Sequence, residues 1–182
     1  MYFVFGLGNP GEEYKSSRHN TGRMAVDYFE KKPHLVLPLG RGGKATIIES
    51  LEFMNNSGKA VAKIIKSKKA AENLIVVYDD IDLPLGTIKI AFNKGSGGHR
   101  GLESVVKALK TKEFTRIRIG IAPTTPSGKI KKPAGEQKVL DFILGDFKPK
   151  EMEILKKVFK KSAEAIEMII KEGKERAMNE FN

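Results

Sequence analysis

The sequence predicts a three-layer α/β domain, with helices covering both faces of a central sheet. Three observations support this: short apolar runs alternate with helical spacings, no linker or repeat divides the 182 residues, and no apolar run approaches membrane-spanning length. The chain has no cysteine, which excludes disulfides and thiolate ligands. We therefore expect one soluble domain over residues 1–182, in a reducing cytoplasm.

The first half of the chain is predicted to alternate strands and helices. Apolar runs predict strands at Tyr2–Phe5, Ala45–Ile48, Leu51–Phe53 and Leu74–Tyr78. Apolar residues at helical spacing predict helices at Thr21–Lys32, which stops before Pro33, and from Ser57 to about Lys68, where Ser57 is the cap. The proline- and glycine-rich stretch His34–Gly43 is expected to be a loop, and we assign His34 no function.

The second half is predicted to continue this pattern. A turn is expected at Asp79–Gly86 and a strand at Thr87–Phe92. A helix is expected at Gly101–Leu109 and a further strand at Arg116–Ile121. An exposed loop over Pro123–Gly135 is followed by a short strand or lid-like element over Val139–Leu144. A long amphipathic helix is predicted over Glu151–Lys171, because Pro149 opens it and Gly173 ends it. A polar tail follows.

The charge of the chain is strongly basic. The formal net charge is +11 and the sequence pI is near 9.7. A polyanionic partner such as a nucleic acid explains this balance, because phosphate contacts dominate nucleic-acid affinity. A lysine-rich surface selected for solubility or heat resistance explains it equally well. Composition alone leaves both interpretations open.

The N-terminal segment combines a glycine turn with a histidine. Gly6–Gly11 matches G-x-G-x-x-G, a weak signal for dinucleotide binding, but helical spacing begins only after Asn20 rather than at the glycines. A simple tight turn would explain the glycines but neither Asn9 nor His19. Asn9 offers a donor and an acceptor to a substrate, and His19 follows near the carboxyl edge of the sheet.

The central strand leads into three carboxylates, Asp79, Asp80 and Asp82. These residues could bind a divalent metal, supply an aspartyl nucleophile, or orient a histidine base. A histidine at the same sheet edge favours the third interpretation. Lys94–Leu102 then opens a helix with glycines, His99 and Arg100, a pattern that attracts anions.

Together, these segments resemble bacterial-type peptidyl-tRNA hydrolases. The resemblance is carried by GLGNPGEEYKSSRHNTG, FMNNSG, DDIDLPLG, GSGGHRGLES, FTRIRIGI and VLDFILGDF, in the family's order. It implies a twisted, mostly parallel mixed sheet flanked by helices, usually in a monomer. It also implies hydrolysis of the ester between a peptide and the tRNA 3′ ribose, which recycles tRNA from stalled translation, without a metal or cofactor.

The resemblance also implies roles for individual residues. His19 would be the catalytic base and Asp82 the group that orients it, while Asn9 would distinguish N-blocked from free aminoacyl-tRNA. The other implied substrate contacts and cleft residues are Tyr14, Phe53, Met54, Asn55 and His99. Arg118 would help to clamp the tRNA 5′ phosphate, and residues 123–147 and 149–172 would form a lid region and a C-terminal helix.

Among the positions that depart from the family pattern, two concern basic side chains. Arg100 stands where asparagine is common, and a cation there could serve a phosphate. Ala91 stands where a basic partner of Arg118 is common, so Lys89 or Lys94 would have to substitute. A catalytically idle RNA-binding relative and a nucleotide-dependent dehydrogenase are the alternative functions.

Overall fold

The computed structural model describes residues 1–31 and 45–182, which build a five-stranded sheet. The strands are β1 (Tyr2–Gly6), β2 (Ala45–Ile47), β3 (Leu74–Pro84), β4 (Ile88–Phe92) and β5 (Thr115–Ala122), in the order β2-β1-β3-β5-β4. All pairs are parallel except β4 with β5, so the predicted mostly parallel mixed sheet is confirmed. The predicted loop His34–Gly43 lies outside the described residues.

Helices cover both faces of this sheet. They are α1 (Thr21–Glu30), α2 (Ser57–Ile64), α3 (Lys68–Ala71), α4 (Arg100–Leu109), α5 (Glu136–Leu144), α6 (Pro149–Glu172) and α7 (Lys174–Phe181). Alternate residues of β3 point to opposite faces. Ile75 and Val77 join the core that contains α1 and α6, whereas Val76 and Tyr78 join the core that contains α2 and α4. The predicted three layers are therefore present.

Several predicted element boundaries are wrong. Leu51–Phe53 is not a strand, and Leu51 is 89% exposed. The second helix ends at Ile64 and is followed by the short α3. Residues 139–144 belong to a helix rather than a strand, and the expected polar tail forms α7. Among the described residues, no helix has the length and apolar character needed to cross a membrane.

The most consequential difference is the length of β3. The strand continues through the predicted turn to Pro84, because β5 pairs with it up to Asp80 and, after a register shift, again at Pro84. Asp79, Asp80 and Asp82 therefore lie along an extended segment instead of clustering in a turn. Strand geometry separates Asp79 from Asp82 by about 10 Å along the backbone.

A close approach between α1 and β3 positions the edge of the sheet where the site lies. Gly22, the second residue of α1, lies against β3, and a Cβ there would collide with the carbonyl oxygen of Val77. The preceding short 3₁₀ turn, Arg18–Asn20, is thereby held against the end of the buried part of β3. This packing brings His19 to Asp79.

Candidate active site

His19 and Asp79 form a buried pair at the carboxyl edge of the sheet. His19 lies in the 3₁₀ turn before α1, and Asp79 follows Tyr78 in β3. The Nδ1 atom of His19 lies 3.1 Å from Oδ1 and 3.0 Å from Oδ2 of Asp79. Only 7% of His19 and 4% of Asp79 is exposed. This arrangement fixes the imidazole ring by one of its nitrogens.

His99 contacts the same carboxylate as His19. Its Nε2 lies 3.1 Å from Oδ1 of Asp79, and its Nδ1 accepts a hydrogen bond of 3.2 Å from the backbone N–H of Leu102. Because Nδ1 is an acceptor, Nε2 carries the proton of the neutral ring and donates a hydrogen bond to Asp79. The rings of His19 and His99 are 4.8 Å apart. Asp79 is thus shared by two histidines.

The shared carboxylate also determines the tautomer of His19. An ionised carboxylate accepts hydrogen bonds and cannot donate one, so the Nδ1 atom of His19 must carry a proton. In the neutral ring, Nε2 therefore holds a free lone pair. A histidine held in this way can take a proton from water.

The electrostatics of the pair favour this state. Burial alone would raise the pKa of Asp79, but the charges of His19 and His99 and their hydrogen bonds outweigh it and hold that pKa well below its usual range. Burial would lower the pKa of His19, and Arg100 acts in the same direction. The charge and hydrogen bonds of Asp79 outweigh both, so the pKa of His19 is raised above 6.5. Asp79 is therefore held in its ionised form, and the pKa of His19 lies above its usual value.

The same three side chains have the donor types of a metal site. One ligand atom from each of His19, Asp79 and His99 falls within 4.8 Å of the others. However, both nitrogens that face Asp79 are occupied as N–H donors, and a metal at Nε2 of His99 would require the bond from Leu102 to be broken. The arrangement fits a hydrogen-bonded acid–base site better than a metal centre.

The prediction that Asp82 orients His19 is wrong. Asp82 is half-exposed, and its Oδ1 accepts a hydrogen bond of 2.6 Å from Nζ of Lys132. Asp82 lies three residues beyond Asp79, too far along the extended strand to reach the imidazole. Alternation along β3 also places Asp79 on the same side as Ile75 and Val77, which pack against α1.

Asn9 is locked in one orientation beside this pair. Its Oδ1 accepts a hydrogen bond of 2.8 Å from the backbone N–H of Met54. Its backbone N–H and carbonyl bind the side-chain amide of Asn20, at 2.8 and 2.9 Å. Since the oxygen of the Asn9 amide is occupied, the NH₂ group is the part left for a ligand.

The predicted residues surround one cleft of about 830 Å³. Those that line it are Asn9, His19, Phe53, Met54, Asn55, Asp82, His99, Arg100 and Arg118. Tyr14 is not among the lining residues; its ring packs edge-on against Phe53, with 6.3 Å between centroids. Asn55 belongs to an exposed 3₁₀ turn, and within residues 1–31 and 45–182 its side chain has no hydrogen-bond partner.

Basic side chains line the same cleft. Nε of Arg118 lies 2.5 Å from Oδ2 of Asp80, which raises the pKa of the guanidinium in spite of its partial burial. Lys89 is exposed and lies directly opposite Arg118 in the β4–β5 ladder. Lys94 also lines the cleft, and its backbone carbonyl accepts a hydrogen bond from the buried Arg116.

Helix α5 forms one wall of the cleft. Val139, Leu140, Ile143 and Leu144 line the cavity, and no residue of α5 is buried. Its first residue, Glu136, forms an exposed ion pair of 2.8 Å with Arg100 across the cleft. We call this helix with that pair the α5 wall.

Arg18 anchors the other end of the α5 wall. Its Nη1 donates to the carbonyls of Gly145 and Asp146 at 3.1 and 2.6 Å, and its Nη2 lies 2.9 Å from Oε2 of Glu151. The residue that precedes His19 therefore joins the end of α5 to the beginning of α6.

Two structural partners in the site were missed by sequence reasoning, Asp79 as the histidine partner and Glu136 as the partner of Arg100. Period-two alternation along Leu74–Asp79 could have identified Asp79, because it shares a face with Ile75 and Val77. No local pattern identifies Glu136, because its contact with Arg100 spans 36 positions of sequence.

Comparisons with known proteins identify the family. The model of the family described as peptidyl-tRNA hydrolase matches residues 3–182. The chain is 38% identical over 196 residues to the "Peptidyl-tRNA hydrolase" of Herpetosiphon aurantiacus, covering 100% of this chain and 90% of that protein. It is 38% identical over 191 residues to the protein of the same name from Aquifex aeolicus, covering 98% and 95%.

A solved structure agrees with these sequence relatives. The crystal structure of peptidyl-tRNA hydrolase from Acinetobacter baumannii superposes with a TM-score of 0.83 at 25% identity, covering 100% of this chain and 94% of that one. Sequence motifs, sheet topology and whole-chain similarity thus agree. The chain belongs to the peptidyl-tRNA hydrolase family.

Proposed function

We propose that this cleft hydrolyses the ester that joins a peptide to the 3′ ribose of tRNA, with His19 as the general base. One observation carries the proposal: Asp79 binds Nδ1 of His19 and Nε2 of His99, and among residues 1–31 and 45–182 no group occupies Nε2 of His19. Membership of the family supplies the reaction class, and the residues supply the proton path.

In this mechanism, Nε2 of His19 takes a proton from water, and the resulting hydroxide attacks the ester carbonyl carbon. Asp79 stabilises the imidazolium that forms. The tetrahedral intermediate then collapses, the bond from carbon to the ribose oxygen breaks, and that oxygen takes the proton from His19. The products are a peptide with a free carboxylate and a tRNA with a free 3′ hydroxyl, so water is the only co-reactant.

Asn9 and Asn55 would act on the acyl group. The NH₂ of Asn9 can donate to the carbonyl that an N-blocked aminoacyl group carries at its nitrogen, whereas a free aminoacyl group presents an ammonium there, which repels a donor. The unpartnered amide of Asn55 can stabilise the oxyanion or hold the attacking water. Asn9 is therefore the proposed selectivity residue.

The basic cleft would hold the tRNA end. We propose that Lys89, as the cross-strand neighbour of Arg118, completes the clamp for the 5′ phosphate in place of Ala91. The edge-on pair of Tyr14 and Phe53 offers aromatic surface to the unpaired 3′ end. Lys89→Gln should weaken binding of every acceptor arm. It should also reduce the slope of log affinity against log salt concentration by about the amount that one phosphate contact contributes.

We also propose that residues 1–182 act as one domain and as a monomer, in which residues 123–147 form the lid region. The cleft supports this, since one chain supplies the base, its carboxylate and the basic residues. Gel filtration at micromolar concentration, with the mass of the eluted protein measured by light scattering, tests whether the chain is a monomer of 20.2 kDa.

The decisive experiment compares the wild type with His19→Ala on N-acetyl-aminoacyl-tRNA. Loss of the base should lower kcat about 10²–10⁴-fold while tRNA binding persists. Activity of the wild type in EDTA is expected to equal that without chelator. Near-normal turnover by the variant would refute the mechanism, and an inactive wild type that still binds tRNA would support the idle RNA-binding alternative.

A further inference from the structure

Arg23 braces the two segments that build the Asn9 amide site. It lies in the first turns of α1, four residues after His19. Its Nη1 donates to the carbonyl of Asn9 at 2.9 Å, and its Nη2 donates to the carbonyl of Ser50. One guanidinium thereby joins the glycine turn after β1 to the segment that leads into Met54.

These two segments meet at the bond that orients the selectivity amide. Oδ1 of Asn9 accepts from the backbone N–H of Met54, four residues after Ser50. If the two segments separated, this bond would lengthen and the amide could rotate, which would exchange its donor for its acceptor. The side chain of Asn20 binds only the backbone of Asn9 and, within residues 1–31 and 45–182, makes no hydrogen bond to the second segment.

The planar geometry of the arginine side chain suits this bridge. A guanidinium presents several N–H groups in fixed directions, so it can hold two carbonyls at once, whereas a lysine ammonium is a flexible point donor. Asp27, one turn further along α1, interacts electrostatically with Arg23. Among the described residues, the guanidinium makes no hydrogen bond to His19 or Asp79.

We infer that Arg23 is a positioning residue for specificity, which holds the Asn9 amide with its donor toward the N-blocked end of the peptide. The inference rests on the proposed role of Asn9 and deepens it. It assigns discrimination between N-blocked and free aminoacyl-tRNA to a bridge that touches neither the base nor the substrate.

The test measures kcat/KM for N-acetyl-aminoacyl-tRNA and for free aminoacyl-tRNA and takes their ratio. Arg23→Gln should lower this ratio about tenfold, because a displaced contact of about 1 Å can cost up to 10²-fold. Arg23→Lys should fall between the wild type and Arg23→Gln. The pH at which His19 titrates should not move. Arg176→Gln, at an exposed arginine of α7, is the matched control.

A double-mutant cycle separates positioning from a merely structural role. In an Asn9→Ala background no amide remains to be oriented, so Arg23→Gln should leave the ratio unchanged there. A further fall of the ratio in that background, or an unchanged ratio in the single variant, would overturn the inference. If Asn9→Ala itself keeps the wild-type ratio, the proposed role of Asn9 fails instead, so the two failures are distinguishable.

Discussion

The sheet edge and the α5 wall face each other across the cleft and are built in opposite ways. At the sheet edge, His19 and Asp79 are buried and joined by hydrogen bonds of 3.0 to 3.1 Å. The α5 wall buries no residue, and its ion pair between Arg100 and Glu136 is exposed. The groups proposed to transfer the proton are buried and held by hydrogen bonds, whereas the opposite wall is held by exposed contacts.

The largest effect should follow from breaking the sheet edge. Asp79→Asn removes the charge that stabilises the imidazolium and disturbs the tautomer of His19, so kcat should fall by about 10²–10⁴. Asp82→Asn is the matched control, since it changes only an exposed pair with Lys132 and should alter kcat by less than about fivefold. Steady-state hydrolysis of N-acetyl-aminoacyl-tRNA measures both. Equal losses in the two variants would restore Asp82 as the histidine partner.

The same substitution should move the pH profile. In the wild type, the acid limb of kcat/KM should lie above pH 6.5, because the pKa of His19 is raised. In Asp79→Asn, the carboxylate that raises the pKa of His19 is absent while burial still lowers it. The acid limb should therefore move to lower pH. A limb at the same pH in both proteins would show that Asp79 does not control His19.

The stability of the fold should depend on pH through the same pair. Because the pKa of His19 is higher in the folded than in the unfolded state, its contribution to the free energy of unfolding is complete below pH about 6.5 and is lost as pH rises through the folded pKa. The lowered pKa of Asp79 acts oppositely: its contribution is present above pH about 3.9 and is lost on acidification. Urea unfolding from pH 2 to 9 should show both trends in the wild type, and Asp79→Asn should lose both contributions.

A smaller effect is expected where the α5 wall is anchored. Glu151→Gln removes the charge partner of the buried Arg18 and should lower the free energy of unfolding by about 1–3 kcal/mol. Glu172→Gln, in the last turn of the same helix, breaks only an exposed pair with Arg176 and should cost less than about 1 kcal/mol. Urea titrations at pH 7 compare them. If Glu172→Gln lowered the free energy of unfolding as much as Glu151→Gln does, the anchoring role of Arg18 would be contradicted.

The smallest effect should come from the exposed end of the α5 wall. Arg100→Gln removes a pair that is worth less than about 1 kcal/mol at the surface, so KM should change by less than about fivefold. Arg100 also lowers the pKa of His19, so its loss should shift the acid limb slightly upward, opposite to Asp79→Asn. A downward shift in Arg100→Gln would show that the guanidinium does not act on His19 through its charge.

The N-terminal motif and the sheet were predictable because local patterns encode them. Apolar runs and glycine turns mark β1, β3 and β5, and Asn9 and His19 follow such signals. The end of β3 was not predictable, because acidic residues disfavour strands and only pairing with β5 extends this strand to Pro84. The resemblance alone assigned the role to Asp82, and the extended strand shows instead that Asp79 reaches His19.

The contacts of the α5 wall were less predictable still. Arg18 meets Gly145 and Glu151 across more than 120 residues of sequence, and only the folded chain brings them together. Helix α7 was missed because its sequence is polar and its packing depends on Ala177, the one residue of α7 that is buried.

The central claim is that Asp79 holds His19 in the tautomer with a proton on Nδ1 and a free Nε2. Nitrogen-15 NMR titration of the three histidines tests it directly, with His99→Ala and His34→Ala used for assignment. We expect neutral His19 to show a protonated Nδ1 and an unprotonated Nε2, with a pKa above 6.5. A protonated Nε2 in the neutral ring, or a pKa below 6.5, would contradict the account.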